Sequence, residues 1–243
     1  MAHRLLIEGI MRNRCLSIVV AAVILVCYRP VFAAETLTVV NIVGRMMAHN
    51  EWQDAYLTEY IALRTFYAEN ARFKADATLL VETAYRQPES MHSRVLRQEG
   101  STLIHERVFS KILEAEEDTR TKSAQKDIDI TPLNYYFSMV ALEMCDSRPC
   151  YHLGLTPKHK DKFLLEGEIW IDGEDFAIVR IRGNPSKRPS FWTTSTQVDR
   201  RYKRVDGIWL TDRIESTSNI MIAGHSHLKI DYLYTEIHTG SSW

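Results

Sequence analysis

The chain is short of the residues from which many enzymes build their sites. Its 243 residues include only 10 glycines and 7 prolines, and none of the glycines forms a phosphate-binding loop or a G-x-S-x-G nucleophile turn. Basic residues do not exceed acidic ones, at 30 against 31, so nucleic acid is not expected as a partner. These absences predict a protein that is not an enzyme and that needs no cofactor.

The one long apolar run lies near the start and has the features of a secretory signal peptide. Arg12 and Arg14 precede the run, which extends over residues 15–27, and Val31-Phe32-Ala33 supplies a pattern typical of cleavage sites. The run is shorter than the roughly 20 residues that a membrane-spanning helix needs. We therefore predict a cleaved signal peptide over residues 1–34, with an uncleaved anchor as the alternative and either Met1 or Met11 as the start.

The remaining residues 35–243 are predicted to form one domain, because no internal repeat or linker of biased composition divides them. They carry 26 basic and 30 acidic residues, a net charge of −4, and two cysteines. Cys145 and Cys150 flank a turn that contains proline, and in an oxidising compartment such a pair most simply forms a disulfide. A metal or redox site is the alternative, but it would favour CxxC spacing or a nearby histidine.

Residues 162–182 predict two antiparallel strands joined by a tight turn. The segment Asp172-Gly173-Glu174-Asp175 supplies the glycine and aspartates that such turns favour. The first strand alternates in character, so we expect one dry face and one wet face. The dry face carries Phe163, Leu165, Ile169 and Ile171, and the wet face carries Lys162, Glu166, Glu168 and Asp172.

Two amphipathic helices and many further strands are predicted elsewhere. Apolar residues at helical spacing predict helices over residues 38–56 and 102–118. Alternation predicts three strands over residues 56–97, with Phe73 near the start of the second, and at least four more strands after residue 133. The excess of strand excludes a doubly wound α/β sheet. We expect a mainly β (α+β) fold, in which a curved antiparallel half-barrel has amphipathic helices over its concave face.

Several segments together resemble the outer-membrane lipoprotein-sorting family, the LolA-like superfamily that includes the RseB- and MucB-like regulators. The resemblance extends over roughly residues 37–234. The segments that carry it are Pro157-Lys158, Asp161 to Asp172, Asp175 to Ile181, Pro189-Ser190-Phe191-Trp192, Gly207-Ile208-Trp209-Leu210 and Leu228 to Tyr232.

The resemblance implies a periplasmic carrier whose apolar cavity, between half-barrel and lid helices, receives the acyl chains of a lipid or an acylated lipoprotein. Contact with membranes would be peripheral or transient. The candidate residues of the cavity wall are Ile61, Leu63, Phe73, Leu79, Val81, Ile169 and Ile171, and those of the lid are Met46 and Met47. In the sorting carriers a strand arginine ties the lid to the barrel. Arg64 lies on an early strand, but we expect it to be a solvated residue of a strand face.

Two other functions stay open at this point. The first is an RseB-like envelope-stress regulator that binds another envelope protein, although such regulators carry a second domain for which this chain has no room. The second, of a different class, is a small periplasmic hydrolase, which would need a nucleophile and its partner at the rim of the sheet. His225 and His227 share a strand face with Asp231, but histidines facing solvent explain the pattern without a metal, and none is expected.

Overall fold

One antiparallel sheet contains all ten strands that the structure describes. A computed structural model of the chain describes residues 37–87, 90–118, 126–188, 190–191 and 193–240. The strand order is β3-β2-β1-β10-β9-β8-β7-β6-β5-β4, so that every neighbour is also a neighbour in sequence except β1 and β10. The sheet is open, with β3 and β4 at its two ends. The predicted mainly β (α+β) class, an antiparallel half-barrel with helices beside it, is confirmed.

The strands are long and are joined mainly by short turns. Their bounds are β1 Leu57–Asn70, β2 Ala75–Arg86, β3 Ser90–Gly100, β4 Tyr135–Cys145, β5 Arg148–Pro157, β6 Leu165–Asp172, β7 Ile178–Pro185, β8 Thr193–Val205, β9 Ile208–Ile220 and β10 Gly224–Thr239. The turn between β8 and β9 is a two-residue turn in which Asp206 and Gly207 both have positive φ, a conformation that an Asp-Gly pair favours.

The first helix, α1, spans Val39–Tyr56 and begins where the sequence predicts. The hydroxyl of Thr38 accepts a hydrogen bond from the backbone N–H of Asn41 and so caps the helix. The side-chain amide of Gln53 bonds both the N–H and the C=O of Trp209, at 3.0 and 2.9 Å. These two bonds fasten the end of α1 to the start of β9.

The second predicted helix is present, but it has an irregular centre. It consists of α2 (Thr102–Ile104), a π turn (His105–Phe109) and α3 (Ser110–Asp118), which we together call the helical cover. None of the helices in the described part of the chain combines the length and apolar composition that a membrane crossing requires.

The hairpin of β6 and β7 forms as predicted, but its wet face is not wet throughout. Asp172 is fully buried at the turn, where Arg148 donates to both of its carboxylate oxygens, at 2.5 and 2.7 Å. The prediction of a solvated Asp172 was therefore wrong, because the bidentate arginine replaces water around the charge. Trp170 also lies on the outer side, where it stacks on His152 with the ring centroids 4.3 Å apart.

A pair of glycines brings β6 and β7 unusually close together. Gly167 lies opposite Gly183, and a Cβ added to Gly167 would stand 2.2 Å from the carbonyl oxygen of Arg182. No other residue type fits that approach. Glycines at such a position mark a bend in a sheet.

One prediction falls on residues that the structure does not describe. The signal peptide over residues 1–34 lies outside the described range and stays a prediction.

Candidate functional site on the inner face of the sheet

The pairing of the strands places one row of side chains across nine strands on a single face of the sheet. Each residue in this row is the registered partner of the next. In strand order from β2 to β4, the row is Leu79, Phe66, Ile230, Ile214, Arg200, Ile181, Ile169, Leu153 and Met139. We call the face that carries this row the inner face, because the helical cover packs against it.

The inner-face row is buried on both sides of a gap in the middle. Leu79, Phe66 and Ile230 are at most 3% exposed, and Ile181, Ile169 and Leu153 are at most 5% exposed. Between these two groups, Ile214 is only half-buried and Arg200 is exposed. The neighbouring inner-face residues Val198 on β8 and Ser216 on β9 are half-buried as well. Solvent therefore reaches the middle of a face that is apolar and closed on either side, and we call this part the gap.

The first of the buried groups lies under the helical cover. Ile104 and Phe109 of the cover are buried against β1, β2 and β10, and Val108, Ile112 and Leu113 pack around them. The ring of Phe109 meets that of Phe66 edge to face, with the centroids 5.8 Å apart. We call this group of sheet residues the covered stretch: Phe66, Ala68, Ala77, Leu79, Val81 and Ile230.

One arginine fastens the helical cover to the sheet. Arg64 on β1 is 2% exposed, and its Nη1 donates to both carboxylate oxygens of Glu116 on α3, at 2.8 and 2.9 Å. Its Nε donates to the hydroxyl of Thr83 on β2, and its Nη2 donates to that of Ser93 on β3. The expectation of a solvated Arg64 was wrong. A buried arginine needs such partners, and Glu116 lies 52 residues away in sequence.

The charge on Arg64 is maintained by its partner. Burial alone would lower the pKa of its guanidinium, but the Glu116 carboxylate outweighs burial and raises that pKa. The ring of Phe66 also lies 5.1 Å from the guanidinium carbon, near enough for a cation–π contact. The ion pair therefore persists at any pH at which Glu116 is ionised.

The second buried group, which we call the packed stretch, lies on the other side of the gap. It consists of Leu153, Leu155, Ile169, Ile171 and Ile181, each of which is at most 5% exposed. The β4–β5 hairpin beside it is closed by a disulfide between Cys145 and Cys150, with the Cα atoms 5.8 Å apart. The predicted disulfide is confirmed.

Four of the seven residues proposed for the cavity wall share the inner face. Leu79 and Val81 belong to the covered stretch, and Ile169 and Ile171 belong to the packed stretch. All four are at most 3% exposed. In this structure they contact protein, so the two pairs flank the gap and do not line it.

The other three residues lie elsewhere. Ile61 and Leu63 pair with Ala84 and Glu82, which places them on the outer face. Phe73 is not in a strand: it is 57% exposed in the turn before β2, where its N–H donates to the side chain of Asn70. Lys74, the last residue of that turn, has a positive φ, and β2 begins at the next residue, Ala75.

The two methionines proposed for the lid lie on α1. Met46 is fully buried together with Ile42 and Val43, and Met47 is half-buried. Helix α1 contacts β1 and β4. The segment that packs on the covered end of the inner-face row is residues 102–118, to which the sequence assigned no lid residue. The role of the two methionines stays a prediction.

The residues at the gap were missed from sequence. Val198 and Arg200 on β8 follow the period of two, but arginine between polar neighbours gives no sign of facing an apolar surface. Ile214 and Ser216 on β9 are equally inconspicuous. Only the register of β8 between β7 and β9 shows that these side chains share one face.

Comparisons with known proteins give remote likenesses. No family model and no curated protein matches the chain. Among solved structures, it is similar to a LolA superfamily protein from Nitrosomonas europaea, with 10% identity, a TM-score of 0.41, and coverage of 85% of this chain and 96% of that one. A DUF1329 family protein from Desulfovibrio piger is similar at 13% identity and a TM-score of 0.41, covering 83% and 93%.

A putative outer membrane lipoprotein-sorting protein domain from Vibrio parahaemolyticus is also similar, at 11% identity and a TM-score of 0.40, covering 82% of this chain and 92% of that one. At these identities and TM-scores, the similarity does not indicate what this chain binds. The fold described above rests on the order and register of its own strands.

Proposed function

We propose that residues 35–243 form a single-domain periplasmic carrier that shields lipid or lipoprotein acyl chains from water against the inner face of its sheet. The observation that carries the proposal is the gap in the inner-face row. A solvent-accessible opening between two buried apolar stretches gives an acyl chain a place to enter. The proposal assigns no chemical step to the protein.

The energetics favour such a role. Each CH₂ group moved from water to an apolar surface contributes about 0.8 kcal/mol, so an exposed acyl chain binds strongly wherever apolar surface can be uncovered. The covered stretch offers that surface next to the gap. Its cover is a short helical segment that can leave without breaking any strand pairing.

Arg64 would then control the cover. While it is bonded to Glu116, the cover lies on Phe66 and Leu79; when that bond is released, both side chains become available to an acyl chain. The resemblance to the sorting carriers implies this role for a strand arginine. The π turn within the cover supports the proposal, since π turns inside helices occur frequently at functional sites.

The proposal is tested with a fluorescent acyl probe and a matched pair of variants. The full chain is expressed with its own N-terminal segment, purified without detergent, and stripped of co-purified lipid on a hydrophobic resin. Ile214→Asp places a carboxylate in the gap. Thr217→Asp places the same carboxylate on the outer face of the same strand, at an exposed position.

We expect the unmodified protein to bind the probe and Ile214→Asp to bind at least about tenfold more weakly, because a carboxylate in the gap, opposite Arg200, keeps water there and disfavours the entry of an apolar chain. Thr217→Asp should bind as the unmodified protein does. Mass spectrometry of the extract from the resin should also show acyl lipid. Failure of the unmodified protein to bind any probe, or equal binding by the two variants, contradicts the proposal.

A further inference from the structure

Arg200 stands in the middle of the inner face. It lies between Ile214 on β9 and Ile181 on β7, and it is the one charged residue in the row that crosses nine strands. Its neighbours along β8, Asp199 and Arg201, lie on the outer face. There Asp199 pairs with Arg180 and, at 3.5 Å, with Arg201, so its carboxylate serves outer-face arginines.

Arg200 differs from Arg64 in having no carboxylate partner within the part of the chain that the structure describes. No aspartate or glutamate oxygen of the described residues lies within 4.0 Å of it. Tyr202, on the same strand, raises the pKa of the Arg200 guanidinium, and Tyr232 and Glu116 act on it over longer range. One tyrosine hydroxyl could engage only one or two of the five N–H donors of an arginine, so most of them are available.

Apolar residues flank Arg200 on both neighbouring strands, and Arg200 itself keeps an exposed surface. Its guanidinium is a cation at any ordinary pH. A cation in this position is tolerated while water reaches it. An acyl chain that filled the gap would expel that water and leave the charge unpaired unless the ligand supplied an anion.

We propose that the ligand is a free long-chain fatty acid whose carboxylate pairs with Arg200 while its chain lies along the apolar inner face. The inference rests on the proposed function and specifies its ligand class. A carboxylate is planar and matches the two parallel N–H groups of a guanidinium. It is also the smallest anion that an acyl chain carries, which suits a position in the middle of a sheet face.

Other acyl ligands fit this position less well. The acyl groups of a lipoprotein anchor are joined through esters and an amide, which carry no charge and would leave Arg200 unpaired. A phospholipid also supplies an anion, but its phosphate lies between a glycerol and a headgroup, whereas the carboxylate of a fatty acid ends its chain. The charge of Arg200 therefore excludes the uncharged esters, and a lysophospholipid is the alternative that the test below includes.

The test compares ligands with the same tail. Binding of palmitate, methyl palmitate and a palmitoyl lysophospholipid is measured by displacement of a fluorescent acyl probe from the stripped full chain. The variants are Arg200→Gln, Arg200→Lys and, as the matched control, Arg201→Gln, which removes a neighbouring arginine on the outer face. Circular dichroism and thermal unfolding establish that each variant is folded.

We expect the unmodified protein to prefer palmitate to its methyl ester by about tenfold or more, the effect of one charge-assisted pair. Arg200→Gln should lose this preference and still bind the ester, Arg200→Lys should keep part of it, and Arg201→Gln should keep all of it. Equal binding of palmitate and ester by the unmodified protein, or an unchanged preference in Arg200→Gln, overturns the inference. Tighter binding of the lysophospholipid than of palmitate overturns the choice of a carboxylate. Failure to bind all three ligands contradicts the proposed function itself.

Discussion

The covered stretch and the packed stretch are both buried apolar parts of one sheet face, but they are closed in different ways. The covered stretch lies under a helical segment that an arginine and its hydrogen-bond partners hold in place. The packed stretch lies beside a disulfide-closed hairpin and the bidentate pair of Arg148 and Asp172. Under the proposed function, burial alone does not identify the binding surface. The deciding property is whether the covering element can leave while the pairing of the strands stays intact.

The largest effect is expected from truncation in the packed stretch. Ile169→Ala should lower the free energy of unfolding by about 3–4 kcal/mol, because Ile169 is fully buried and its loss leaves a cavity. Affinity of the folded protein for the acyl probe should stay the same. Leu142→Ala, on the exposed inner side of the edge strand β4, is the control and should cost less than about 0.5 kcal/mol. Urea unfolding measures both, and a strong loss of probe affinity in Ile169→Ala would show that the packed stretch takes part in binding.

An intermediate effect is expected when the ion pair between Arg64 and Glu116, which holds the helical cover on the sheet, is removed. Arg64→Met removes the pair with Glu116, which is itself partly exposed, and should lower the free energy of unfolding by about 2–3 kcal/mol. Because closure of the cover competes with the ligand, the same variant should bind the acyl probe more tightly. Urea unfolding and probe titration are the two measurements.

The matched control for this prediction is Arg94→Met. Arg94 pairs with Glu82 on the outer face, and its side chain is largely exposed, so its loss should cost less than about 1 kcal/mol and leave probe affinity unchanged. If Arg64→Met weakened probe binding in the folded protein, the fastening would serve the ligand site and would not compete with it.

The smallest effect is expected from protonation of Asp172, at the turn beside the packed stretch. Burial alone would raise the pKa of Asp172, but hydrogen bonds from Arg148 and from the backbone N–H groups of Asp175 and Glu174 hold that pKa below its ordinary value. A carboxyl with a depressed pKa stabilises the fold fully above its unfolded pKa of about 4, and this stabilisation is lost as the pH falls through the lower folded value. Unfolding measured from pH 6 to pH 2 should show this loss, and Asp172→Asn should reduce it. A variant with the same acid dependence as the unmodified protein would refute the assignment.

Features set by neighbouring residues were predictable from sequence. The bounds of α1, the β6–β7 hairpin and the disulfide all depend on residues close together in the chain. The cover itself was expected as a helix over residues 102–118, although not its π turn.

The site depended on contacts between distant residues. Alternation shows that Ile61 and Leu63 share a face, but apolar residues occupy both faces of β1, and the pairing with β2 decides which one is inner. The burial of Arg64 requires Glu116, far along the chain. Arg200 gains its surroundings only from β7 and β9. None of these facts is present in a local pattern.

Hydrogen exchange followed by mass spectrometry, with and without palmitate, determines whether an acyl chain displaces the helical cover. Binding should speed exchange in the cover, residues 102–118, because the acyl chain replaces it on Phe66 and Leu79. Exchange should slow in β8 and β9 around the gap and stay unchanged in β5 and β6 of the packed stretch. Palmitate that binds yet protects the packed stretch and leaves the cover unaffected would contradict displacement of the cover by the ligand.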